Sequence, residues 1–424
     1  MASAQERNIW KTLGPGILFA STAIGVSHLV QSTQAGANYG YSLLWAVIIA
    51  NVLKYPFFEY GSRYANATGT SIIDGYKKLG KPFIWGYFII TIGSMFFVSA
   101  AVGKVTTGFM QNLFGISSTY TAMAIIFTVC GAILISGKYK VLDGLIKIIG
   151  TVLVVSTLFA FIMTLIHGRS GDTGLFELSW FPEGDNIVFL IALMGWMPTA
   201  VDLSAWNSLW TVERIKQTGY QPKLKETLLD FRIGYWASAL LSICFVTLGA
   251  FLMFGTGQKF SPGMAGFAND VISLYTAAIG DWSYLIIASA AFSIMFGTCI
   301  AIFDGYGRAL TRVTTLLFQK NDSDDKPERK YQIGVAITVI GSFIVIALFE
   351  NNADGFKFLV NFAQTLSFII APFVAWANFK LVSKNQIGDK SPGLTMKVLS
   401  IAGIIFLSGF SVYYLFLLIS PFFS

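Results

Sequence analysis

Apolar runs of bilayer length recur along this 424-residue chain, and they decide what it can fold into. A bilayer core of roughly 30 Å needs about 20 apolar residues per helix. Backbone in lipid must satisfy its own hydrogen bonds, which such runs achieve as helices. Apolar runs read against polar breaks predict eleven spans, at about 12–37 (broken), 41–65, 83–114, 118–136, 141–167, 187–211 (broken), 232–255, 282–307, 332–349, 357–380 and 394–422. Residues 260–280, with Pro262, Gly263, Gly266, Asn269 and Asp270, read as a loop or a short surface helix. Only 12% of residues are charged against 54% hydrophobic, too few charges to cover a globule in water. The expected fold class is an all-α polytopic membrane protein.

Charge placement orients the spans. Of 29 basic residues, 22 fall in the N-terminal segment and the loops after even-numbered spans, and three (Arg169, Lys259 and Lys357) in the opposite loops. Basic loops stay on the cytoplasmic side, so the N-terminus is expected inside and, with eleven spans, the C-terminus outside. Topology therefore accounts for the net charge of +7, and a nucleic-acid partner is not expected. The residues before the first run lack a signal-peptide pattern, so that helix is expected to stay as a span. Trp180 and Phe181, in the outer loop 171–186, suit an interfacial anchor. The mixed charge run NDSDDKPER (321–329) reads as a solvated inner loop. Compact loops point to a bacterial inner membrane. Cys130, Cys244 and Cys299 lie far apart inside apolar runs, which supports neither a zinc site nor a disulfide framework. No cofactor is expected.

Two spans are interrupted in a way ordinary spans avoid. The first contains IGVSH (24–28). The sixth contains MGWMPTAVDLSAWNS (194–208), where Pro198 removes a backbone donor and Thr199, Asp202, Ser204 and Asn207 follow. Unwound backbone inside a bilayer is tolerated where it lines a cavity or is buried in protein. Broken helices at corresponding places in two halves are the sequence mark of a transporter with inverted repeats and a midplane site. Spans one to five (about 12–167) and six to ten (about 187–380) are then the two repeats of a single transporter domain, 1–424, with an extra helix at about 394–422. A Gly or Pro kink is the alternative for either break taken alone.

Several short stretches, LGPG (13–16), YGYSLLW (39–45), AN (50–51), Arg63 with ATG (67–69), MP (197–198), and Gln364 with Pro372 and Phe373, resemble the Nramp family. The resemblance runs along nearly the whole chain and is most specific over 12–69. It implies the leucine-transporter-type fold of five plus five spans and an activity of proton-coupled divalent metal transport, manganese and iron in particular. In that family the first break reads Asp-Pro-Gly-Asn, whose Asp and Asn bind the metal; here Gly25, Val26, Ser27 and His28 align with it. The family's Met-Pro-His-Asn becomes Met197, Pro198, Thr199 and Ala200. The acidic pair usual in the third span is missing from 93–105, where Lys104 stands.

A manganese or iron site needs carboxylate oxygen to offset desolvation of the ion, beside a soft donor for selectivity. Met197 supplies only the soft donor. The expectation is thus a secondary transporter with a remodelled substrate site. Its cargo is a metal cation by resemblance, or a small polar non-metal solute on the same scaffold; an uncoupled channel or sensor is the third alternative. The candidate substrate-binding residues are Gly25, Val26, Ser27, His28, Gln31, Met197, Thr199, Ala200 and, from the resemblance, Gln364. His28 and Met197 are the candidate metal ligands, and His28 and Asp202 the candidate proton or coupling sites. A histidine at the midplane suits a metal ligand, a proton acceptor or a donor to substrate, with a satisfied packing role as the plain alternative. Gln31, Ser32 and Ala35 share one α-helical face with it.

Other charges sit deep. Glu59 and Arg63, Asp143 and Lys147, and Asp304 and Arg308 are spaced i,i+4 for internal pairs. Lys54 and Lys104 have no acidic residue at that spacing; each is either a fixed positive charge standing in for a coupling ion or a snorkelling side chain, the latter favoured for Lys104. No Walker loop, HExxH or GxSxG motif occurs, so enzyme chemistry is not expected.

Overall fold

The structure, a computed structural model, describes residues 9–136, 139–177, 179–181, 186–261, 263–319, 327–349 and 355–419. The side chains of Asp143 and Lys147 and the segment 320–326 lie outside the described residues. Every regular element among the described residues is helical. In chain order these are α1 Ile9–Thr12, α2 Pro15–Ala23, α3 Thr33–Tyr39, α4 Leu44–Thr68, α5 Ile72–Leu79, α6 Lys81–Phe114, α7 Thr119–Ile135, α8 Tyr139–His167 and α9 Asn186–Trp196. They continue with α10 Ser204–Thr218, α11 Leu224–Leu252, α12 Met264–Ile279, α13 Tyr284–Phe318, α14 Pro327–Phe349, α15 Gly355–Leu381, α16 Lys384–Ile387 and α17 Leu394–Ile419. A π-helical turn, Val26–Ser32, separates α2 from α3, and a 3₁₀ turn, Val201–Leu203, precedes α10.

Local chemistry sets the ends. Pro15 opens α2, where a missing N–H costs nothing. Gly69 (φ +71°) closes α4 in the left-handed region that a glycine enters without strain. Asp74 reaches back to the Ser71 amide at 3.0 Å and caps α5.

Seven helical stretches among the described residues are long and apolar enough to cross a membrane. They correspond to the predicted third, sixth to eleventh spans. Of the other expected spans, the described apolar part of the fifth is Val154–His167, and the first, second and fourth fall short of that measure for physical reasons. The first is divided between α2 and α3, α4 carries Lys54, Glu59 and Arg63, and α7 has only 17 residues. Residues 264–279 form a helix whose Phe267, Val271 and Ile272 are buried. This region is therefore part of the packed bundle rather than a loop or a surface helix.

Helix α13 lies along α6, α10 along α4, and α11 spans both halves of the first broken helix as well as α4. Close approach fixes that last crossing. A Cβ on Gly16 would meet the Asp230 carbonyl at 2.0 Å, and one on Gly36 the Val246 carbonyl at 1.9 Å. From the other side, a Cβ on Gly234 would meet the Gly16 carbonyl at 1.9 Å and one on Gly249 the Thr33 carbonyl at 2.1 Å. Small residues that let helix backbones touch are the usual means of packing where lipid removes the hydrophobic drive. Asp230 adds a polar tie, accepting from the Gly14 and Gly16 amides at 3.1 and 2.8 Å at the start of α2.

Candidate substrate site

Both breaks expected from sequence are present, and they meet. After α2 the chain leaves helical geometry at Ile24 and Gly25, then rewinds as the π-turn. After α9 it runs irregularly through Met197–Ala200, with a cis Met197–Pro198 bond. The Ser27 Oγ lies 3.0 Å from the Pro198 carbonyl oxygen. The same hydroxyl has the Ala23 carbonyl at 2.5 Å and His28 Nδ1 at 2.8 Å, so its single proton has three groups within reach and bonds to them in alternation.

A cavity of about 20 Å3 lies between the breaks, room for about one water molecule. Val26 and Ser27 line it from the first break and Thr199 and Ala200 from the second; Val98 and Val102 of α6 and Thr298 and Ile302 of α13 are also among its walls. Four of the nine candidate substrate-binding residues thus meet around one space. Its lining offers hydroxyls and apolar surface, and no carboxylate.

The remaining candidates take other places. Gly25 is pressed against α13, where a Cβ would come 2.6 Å from the Thr298 methyl. The Thr298 hydroxyl lies 2.7 Å from the Ser21 carbonyl and 3.4 Å from that of Ile24, covering oxygens that the broken helix releases. His28 is fully buried with both ring nitrogens engaged. Nε2 lies 2.9 Å from the Ser238 carbonyl of α11, which can only accept, so this nitrogen carries a hydrogen. Nδ1 faces the Ser27 hydroxyl, and the Phe245 ring stands edge-on to the imidazole. His28 therefore fastens the first break to α11.

Gln31 and Ser32 do not share an α-helical face with His28, because the segment is π-wound. Ser32 Oγ bonds to the Ser27 carbonyl, five residues back. Met197 is buried, and its carbonyl oxygen accepts from Lys54 Nζ at 2.8 Å. Gln364, fully buried on α15, has neither amide atom hydrogen-bonded within the protein; Gln31 Oε1 and Asp202 Oδ1 also lack partners. Buried polar atoms are satisfied in the great majority of cases, so these three mark positions with unused capacity. Among the described residues, no group of three or more His, Cys, Asp or Glu side chains is placed to hold a metal ion.

Sequence reading missed what lies at the second break. Lys54 Nζ reaches four carbonyl oxygens there, those of Met194, Gly195, Met197 and Thr199, at 2.8–3.0 Å. Asp202 is within its Coulombic reach. The available signal was the lack of an i,i+4 acid on α4, but the partner lay 140 residues away. Lys104, expected to snorkel, is buried instead. Thr298 and Ser238 gave no signal at all, being small polar residues in apolar helices.

A larger hollow of about 480 Å3 opens at the far ends of α10 and α13 and includes Asp74, Glu213, Lys216, Arg308, Arg312 and Tyr331. Between it and the small cavity both helices carry bulky, bonded side chains. Trp206 meets the Tyr306 ring edge-on at 4.7 Å. Asp304 accepts from Trp210 Nε1 at 2.8 Å, Arg308 Nε at 2.9 Å and the Tyr331 hydroxyl at 2.5 Å. Arg308 also pairs with Glu213, and Arg312 with Asp74. The expected pairs Glu59–Arg63 (2.7 Å) and Asp304–Arg308 are both formed.

A sequence model of the family described as natural resistance-associated macrophage protein-like matches residues 16–417. An uncharacterized protein of Pasteurella multocida is 33% identical, covering 97% of this chain and 94% of its own length. The divalent metal cation transporter MntH of Aeromonas hydrophila is 24% identical, covering 85% and 84%. Among solved structures, a variant of the Eremococcus coleocola manganese transporter aligns with a TM-score of 0.74 at 14% identity, over 99% of this chain and 90% of that one. A sodium-coupled sialic acid symporter aligns with a TM-score of 0.59 at 13% identity, over 95% and 88%.

Proposed function

Because this chain belongs to the natural resistance-associated macrophage protein-like family, and a relative covering most of it is named a divalent metal cation transporter, we propose that it is a secondary active transporter with a remodelled substrate site between its two broken helices. The observation that carries this reading is the meeting of the breaks, Ser27 Oγ to Pro198 O at 3.0 Å beside a shared cavity. Unwound backbone at membrane depth that borders a cavity is the arrangement by which transporters hold cargo. The two halves, about 12–167 and 187–380, act as inverted repeats of five spans each, with an eleventh span at about 394–422, the N-terminus inside, the C-terminus outside and the chain in a bacterial inner membrane. The basic-loop asymmetry supports this placement.

The family points to an inorganic metal cation as cargo, for which Met197 and, once released from Ser27 and Ser238, His28 would be the ligands and Asp202 the coupling group. The ordinary manganese and iron donor set is not the one used. Gly25 offers no carboxylate, both His28 nitrogens are engaged, and the cavity lining carries no negative charge. A second reading is favoured by the cavity itself. Hydroxyls of Ser27 and Thr199 over apolar walls, with the Lys54 ammonium held on the Thr199 carbonyl, suit a small polar solute without positive charge. The fold admits either, since a manganese transporter and a sialic acid symporter both align with it.

Calorimetric titration of the purified protein with manganese is expected to show no heat of binding at millimolar ion; saturable binding would restore the ordinary metal reading. In proteoliposomes, His28→Ala and Asp202→Asn are expected to change pH-dependent uptake, and unchanged flux in both would remove them from the site.

A further inference from the structure

Four carbonyl oxygens at 2.8–3.0 Å around one point form a cation's coordination shell, and here the point is occupied by a side chain. Met194 and Gly195 belong to the last turn of α9, whose carbonyls have no intrahelical partners and carry the negative end of the helix dipole. Met197 and Thr199 lie in the irregular segment, where no helix claims their oxygens. The break thus directs released carbonyls inward, much as a selectivity filter replaces an ion's water with carbonyl oxygen. Lys54, with none of its surface exposed, supplies three N–H donors to these four acceptors. Asp202, one of whose oxygens has no hydrogen-bond partner, is within Coulombic reach.

We propose that the carbonyl cradle at the broken end of α9 is a monovalent-cation site, and that the Lys54 ammonium is its resident, covalently tethered occupant. The protein carries its own cation at this position, so whatever it moves does not bring one there. Any doubly charged cargo entering the adjacent cavity would face this fixed positive charge in a medium of low dielectric. The inference rests on the reading of the two breaks as one centre, but its test needs no transport.

The test uses the full-length protein in detergent and its Lys54→Ala and Lys54→Met variants, followed by thermal melting. Both variants are expected to melt lower by on the order of 5 °C. Propylammonium chloride should return most of that loss to Lys54→Ala while leaving the wild type and Lys54→Met unchanged, because only the alanine variant vacates room for it. Propan-1-ol, of similar shape without charge, should not. Variants that melt with the wild type, an absence of rescue by propylammonium, or equal rescue by the alcohol would each overturn the proposal. If neither neutral variant folds, Lys54→Arg decides, since a folded arginine variant supports the need for charge and an unfolded one overturns it. Manganese binding by the wild type would defeat the remodelled-site reading while the ammonium rescue could still stand, so the two failures are distinguishable.

Discussion

By the resemblance read in the sequence, Gly25 aligns with the family's metal-binding Asp; in the structure the space around it belongs to Thr298. A Cβ there would lie 2.6 Å from the Thr298 methyl and 2.9 Å from its hydroxyl oxygen. That hydroxyl is bonded to the Ser21 carbonyl at 2.7 Å, which leaves the side chain little freedom to yield. Overpacking of this kind costs about 1–3 kcal/mol. Gly25→Ala should therefore lower the melting temperature, and by less in a Thr298→Ala background, where the contact is gone. Strictly additive effects of the two substitutions in a double-mutant cycle would contradict the contact. The glycine was legible in the sequence as a departure from the family pattern. The threonine that fills the space beside it was not, because it lies 273 positions further on in an otherwise ordinary apolar helix.

Helix α13 passes from the cavity wall to the wall of the larger hollow, and α10 runs to the same hollow from just after Leu203 of the cavity lining; bulky side chains stand midway on both. Along α13 the order is Thr298 and Ile302 at the cavity, Asp304 and Tyr306 between, then Arg308 and Arg312 at the hollow. Asp304 is the hub of that block, with Trp210, Arg308 and Tyr331 donating to it. Asp304→Ala would leave the buried Trp210 indole without its acceptor and Arg308 with Glu213 as its remaining acid, a loss of about 1–3 kcal/mol. It should loosen the barrier. With the three native cysteines replaced, Ile302→Cys is expected to react slowly with a water-soluble thiol reagent, and faster by roughly tenfold or more once Asp304→Ala is added, the factor that 1.4 kcal/mol represents. An unchanged rate would show that the barrier lies elsewhere. The i,i+4 spacing of Asp304 and Arg308 predicted their pairing; it could not predict that Trp210 and Tyr331 complete the same node from two other helices.

Over the whole molecule the charge asymmetry makes a topological claim. With 22 basic residues in one set of loops and three in the other, an odd number of spans sends the C-terminus to the side opposite the N-terminus. A phosphatase reporter fused after Ser424 should be active, as it is only outside the cytoplasm, and a fluorescent protein that matures only in the cytoplasm should be dark at the same position. The reverse pattern would mean that the span count is wrong by one. The bundle's close packing belongs to this scale too. Helix α11 meets both halves of the first broken helix through glycine contacts near Gly16 and near Gly36, so the break is held as one unit despite its interrupted hydrogen bonding.

Immersion in a bilayer, helical structure and the places of both interruptions were determined by the sequence itself. Each depends on residues adjacent in the chain: a run of apolar side chains, a glycine, a proline that cannot donate. What each polar group at the breaks does was decided by tertiary structure. His28 reads as a ligand until Ser238 takes its Nε2, and Lys54 reads as an unpaired charge until four carbonyls of α9 and the segment after it close around its ammonium. These partners are 140 or more positions away in sequence, and no local pattern of hydropathy or spacing encodes which distant oxygen a buried donor will meet. The cost of leaving such a donor unmet in a low-dielectric interior makes these pairings as firm as the helices that deliver them.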